Sequence, residues 1–81
     1  MEIKVDTLSE AFRLIQVKRK VSTRDIAAEI NANASTVWRA IEHPSRASGM
    51  TLMKLFKWSG ITWDEFETLF NEELKRNDKY R

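Results

Sequence analysis

With 81 residues, no cysteine and a single histidine, the chain is long enough for one small domain and excludes both disulfide staples and a Cys/His zinc site. Its apolar runs are only a few residues long and its N-terminus lacks a signal-peptide pattern, so the expectation is a soluble, cytoplasmic protein. Net charge is only +2, but residues 13–57 carry nine basic and three acidic side chains, against four basic and six acidic over residues 62–81. A basic front with a mildly acidic rear suits a module that presents one face to phosphate.

Residues 1–6 form an N-terminal arm in which Ile3 and Val5 alternate, as a short strand or a loose segment. Thr7 and Glu10 make a T-x-x-E capping box that opens the first helix, with Leu8, Ala11, Phe12 and Ile15 at helical spacing. Lys18-Arg19-Lys20 complements the dipole at its C-terminal end and reads either as part of the basic front or as a solvated helix end. Ser22, with Asp25 three residues on, caps a second helix whose Ile26, Ala27 and Ile30 share a face. The small Ala27-Ala28 pair admits a closely crossing helix. Asn31 suits the left-handed backbone that ends a helix, and Asn33 caps the third.

In that third helix Ala34, Ser35 and Thr36 occupy the first turn, and Val37 and Ile41 point inward. Ser35, Trp38, Arg39 and Glu42 then lie on other faces. Residues 43–47, HPSRA, read as a loop because Pro44 cannot continue a helix, with His43 on its surface. Ser48 caps a fourth helix with Met50, Leu52, Met53, Leu55 and Phe56 as its apolar surface, and Ser59-Gly60 ends it. Thr62 and Glu65 box the start of a fifth helix that runs to about Lys75, inside a domain of residues 7–76 followed by a loose tail, 77–81. Phe56, Trp58, Trp63 and Phe66 are expected to pack between helices four and five. Phe66, Leu69, Phe70 and Leu74 make a stripe longer than the small core consumes. Phe70 and Leu74 are therefore the candidate dimer surface.

Two helices joined by a turn of about three or four residues form the DNA-binding helix-turn-helix, whose second helix enters the major groove. The segment STRDIAAEINANASTVWRAIE, residues 22–42, resembles the Cro/C1-type helix-turn-helix family, and the likeness extends over residues 7 to about 70. It rests on Ser22, Ala27, Asn31 in place of the family's Gly, Ser35-Thr36-Val37, the run LMKLFKW, Gly60 and Thr62-Trp63-Asp64-Glu65. The chain departs from the pattern in three places. Thr23 replaces a Gln that contacts DNA, Gln16 replaces a common Arg, and Glu42 falls one residue later than the usual Glu, which bears on an Arg–Glu pair between the first and third helices.

The resemblance implies an all-α, five-helix, lambda-repressor-like domain that binds operator DNA as a dimer. Base readout is expected from Ala34, Ser35, Trp38 and Arg39, since the first turns of a recognition helix reach base edges. Arg39 is the strongest candidate because a guanidinium spans guanine O6 and N7, with a phosphate contact as its alternative role. Trp38 either packs on sugar or thymine methyls or folds back on the HPSRA loop. Phosphate contacts are expected from Lys20, Ser22, Thr23, Arg24, Asn33, Thr36, Arg46 and Ser48, several of them at helix N-termini where amides and dipole favour an anion. No cofactor, metal or catalytic role is expected, because neither a nucleophile–base arrangement nor a glycine-rich phosphate loop is visible. The alternatives are an antitoxin that grips a toxin and autoregulates, a regulator that answers to an anti-repressor protein, and a protein-binding adaptor on the same fold.

Overall fold

The computed structural model describes residues 5–79, with side chains through residue 75. Among them are five α-helices, one 3-10 turn and no strand: α1 (Leu8–Arg19), α2 (Thr23–Ile30), α3 (Ala34–Glu42), the 3-10 turn Pro44–Arg46, α4 (Gly49–Ser59) and α5 (Trp63–Lys79). Val5 lies in no regular element, and Ile3 falls outside the described residues. No helix among the described residues is long and apolar enough to cross a membrane.

The caps expected from the sequence form. Thr7 accepts from the Glu10 amide at 3.3 Å. Ser22 and Asp25 close a reciprocal capping box, and so do Thr62 and Glu65. Asn33 caps α3 and Ser48 caps α4. Lys20, Asn31 and Gly60 each turn the chain through left-handed backbone at the end of a helix, with φ of 55°, 57° and 76°. At Gly60 this is the conformation that a missing Cβ makes easy.

The boxes also act on ionisation. The Ser22 amide, and then its hydroxyl, hold the Asp25 carboxyl below its ordinary range. The Thr62 hydroxyl, and then its amide, do the same for Glu65. A depressed carboxyl contributes stability that is present above the unfolded pKa and is lost as pH falls through the folded one. An NMR pH titration should therefore give Asp25 and Glu65 midpoints below the usual carboxylate range. In Ser22→Ala, which removes the hydroxyl and keeps the amide, the Asp25 midpoint should move partway back upward while that of Glu65 stays. Equal movement of both would contradict the local cause.

One core joins all five helices. Leu8, Phe12 and Ile15 of α1 meet Ile26 and Ala27 of α2, Val37, Ala40 and Ile41 of α3, and Leu52, Leu55 and Trp58 of α4; Ile61 and Phe66 close it. Of the Ala27-Ala28 pair only Ala27 is buried. Each large aliphatic or aromatic side chain in such a core contributes about 1.5–3 kcal/mol of transfer free energy. The expected apolar surface of α4 is corrected at two positions, since Met50 and Met53 are exposed. The aromatic packing is corrected too. Phe56, Trp63 and Phe66 form a ring cluster with centroids 4.9–5.6 Å apart, but Trp63 stays largely in solvent. The indole of Trp58 instead carries the Arg19 guanidinium, 4.9 Å from the ring centroid.

Arg19 also donates to the carbonyls of Trp58 (2.6 Å) and Ser59 (3.2 Å), satisfying the C-terminal end of α4. Within the basic triplet, this side chain is thereby committed to the fold. Residues 44–46 are a 3-10 turn rather than an open loop, with Pro44 buried and the turn packed against α3 and α5. Helix α5 runs to Lys79, beyond the expected end near Lys75. It docks on α1, where the buried Glu73 carboxylate accepts from the Ser9 amide at 3.0 Å.

Candidate nucleic-acid interface

Helix α3 is presented by packing on one side only. Val37, Ala40 and Ile41 are buried, which turns Ser35, Trp38 and Arg39 outward. The link from α2 is short and well satisfied. The Ala32 amide bonds the Ala27 carbonyl at 2.9 Å, and the Lys54 ammonium reaches the Asn31 carbonyl at 3.4 Å. One backbone bond and one side-chain bond thus hold the link from which α3 leaves α2.

Between α3 and the start of α4 lies an open groove of about 550 Å³, lined by Thr36, Trp38, Arg39, Ala40, His43, Arg46, Ala47, Ser48 and Thr51. It brings together two candidate base readers, Trp38 and Arg39, and three candidate phosphate ligands, Thr36, Arg46 and Ser48. Among the described residues, no carboxylate lines it. Arg39 and Arg46 are both exposed and make no ion pair among the described residues. Placing two guanidinium groups on an unneutralised groove gives a local positive potential that favours an anion.

The acid nearest this surface by sequence is neutralised from behind. Glu42, at the end of α3, pairs with Arg13 of α1. An Arg–Glu link between the first and third helices therefore exists despite the sequence departures. Arg13 supplies it one turn before Gln16, and it is only partly shielded from solvent. Gln16 instead donates to the Thr23 hydroxyl at 3.4 Å. The pair leaves Glu42 little net charge with which to repel phosphate beside α3.

The remaining candidates divide by what their polar atoms already do. Asn33 spends its Oδ1 on the Ser35 amide (2.9 Å) and accepts the Ser35 hydroxyl proton (2.7 Å), so the Ser35 oxygen is placed to accept rather than donate. Ser48 likewise gives its proton to Thr51 Oγ1 at 3.0 Å and caps α4. Ala34 is half-buried and packs against the core. Ser22, Thr23 and Arg24 stand at the N-terminus of α2, and Lys20 at the end of α1; none of these four lines the groove. His43 does, although the sequence places it simply on a loop. Its one signal is position, four residues after Arg39 and therefore on the same side of the helix. Thr51 is buried at the groove's inner edge, and its spacing from Ser48 announces the cap.

On α5, Phe70 is half-buried, stacked on Phe66 at 5.9 Å, and Leu74 is 41 % exposed. With Trp63 they lie along one side of α5, because positions 63, 70 and 74 recur at seven and four residues. Comparison with family models, curated proteins and solved structures gives no match.

Proposed function

We propose that this protein is a sequence-specific, double-stranded DNA-binding transcriptional regulator of the Cro/C1 kind, with α2 and α3 acting as a helix-turn-helix. The observation that carries the reading is the groove beside α3, where Arg39 and Arg46 stand exposed, with no ion pair among the described residues and no carboxylate among those that line the groove. A helix that buries one side and offers a serine, a tryptophan and an arginine on the other is suited to a major groove. Exposed cations just past its C-terminal end suit the phosphates alongside. The α2 N-terminus, with Ser22, Thr23 and Arg24, supports a second backbone contact.

One such helix reads only a few base pairs, too few for selectivity in a genome, so the operator is a pseudo-palindrome read by two copies. Two copies related by a twofold axis would place their recognition helices in half-sites roughly 34–36 Å apart, one helical turn along one face of the duplex. The apolar side of α5, through Phe70 and Leu74, is the proposed contact between copies.

Binding to duplex DNA should fall steeply between low and physiological salt, because each phosphate contact releases counterions. Fluorescence anisotropy of labelled duplexes across a salt series tests this. Absence of duplex binding at low salt overturns the reading. A second reading, a protein-binding module such as an antitoxin, draws on the exposed Met53, Trp63 and Leu74. Salt-insensitive capture of a protein with no duplex affinity would favour it.

A further inference from the structure

Trp38 is 55 % exposed, and in the free protein most of its ring gains nothing from burial. It lines the same groove as Arg39, and the two follow Ser35 by three and four residues, one turn on. An indole in that place is worth its solvent exposure only if it meets an apolar group when the groove is filled. The floor of the DNA major groove offers hydrogen-bond donors and acceptors almost throughout. Its one apolar substituent is the C5 methyl of thymine. Trp38 stands at the edge of the outward arc, about 60° around the helix from Ser35 and about 100° from Arg39, within an indole's reach of the groove floor.

Resting on the DNA-binding reading above, we infer that Trp38 and Arg39 together recognise a 5-methylpyrimidine beside a guanine. Arg39 bridges guanine O6 and N7, and Trp38 covers a methyl group about one or two base pairs away. The spacing follows because consecutive residues rise only about 1.5 Å along the helix but diverge by about 100° around it, so the two side chains meet different pairs in a stack spaced about 3.4 Å. 5-Methylcytosine carries the same methyl and satisfies Trp38 equally well.

The test uses the full chain and the tightest duplex recovered from a random pool, remade with each thymine in turn replaced by deoxyuridine. This removes a single methyl and leaves every hydrogen bond intact. At one position affinity should fall about three- to fivefold, the equivalent of one buried methyl. 5-Methylcytosine opposite guanine at that position should bind better than cytosine. Trp38→Ala should erase the thymine–deoxyuridine difference, and Trp38→Phe should retain part of it; circular dichroism of both variants checks the fold. A flat deoxyuridine scan, or a Trp38→Ala protein that still distinguishes the two bases, overturns the inference while salt-dependent duplex binding stands. Failure to recover any duplex at low salt overturns the DNA-binding reading itself.

Discussion

Arg39→Ala should weaken binding to the preferred duplex by roughly 1–3 kcal/mol and relax selectivity at one base pair, leaving affinity for random duplex nearly unchanged. The guanidinium stands on the outward face of α3, exposed, with no carboxylate partner among the described residues to hold it back. Its planar fork can accept the geometry of guanine, which a point charge cannot, so Arg39→Lys should recover affinity but not selectivity. Arg46→Ala should behave differently. It lies past the end of α3, and its loss should weaken specific and random duplexes alike and lower the salt slope by about one. Competition binding against a panel of single-base variants separates the two. If the Arg39→Ala protein keeps its full base preference, Arg39 is a phosphate ligand and readout belongs to other residues.

Glu73→Ala should destabilise the domain by roughly 1.5–3 kcal/mol, because a buried charged hydrogen bond is lost and the Ser9 amide is left without it. For a domain of this size that corresponds to a fall in Tm of very roughly 10 °C. The carboxylate also lies at the positive end of the α1 dipole, so its charge adds to the hydrogen bond. Glu73→Gln keeps an acceptor and should lose distinctly less. Thermal and urea unfolding of the two variants provide the comparison. A Glu73→Ala protein within about 0.5 kcal/mol of wild type, the range of an ordinary surface change, would show that Glu73 does not anchor α5 to α1.

These two side chains differ in how far the sequence announces them. Arg39 is legible because Asn33 marks the start of α3 and Val37 and Ile41 mark its inner side. With a period of 3.6 residues, the outward positions then follow by counting. Glu73 is not legible. Along the chain it is one more acid between Glu72 and Leu74, on a helix whose polar residues are expected in solvent. Its partner is 64 residues away. The same holds for Arg19, whose basic neighbours suggest a solvated helix end while its guanidinium closes the end of α4.

The number, type and starts of the five helices were determined by the sequence itself, because caps and apolar spacing act over three or four residues. Thr7, Ser22, Asn33, Ser48 and Thr62 satisfy amides within their own first turns wherever the helix is placed. The left-handed residues Asn31 and Gly60 act equally locally. What only the tertiary structure decided was which charges remain available. Arg13 neutralises Glu42, Arg19 and Lys54 are spent on helix C-termini, and Arg39 and Arg46 are left facing an open groove. A long side chain pairs with whatever the packing of helices brings within its reach, and that proximity has no counterpart in spacing along the chain.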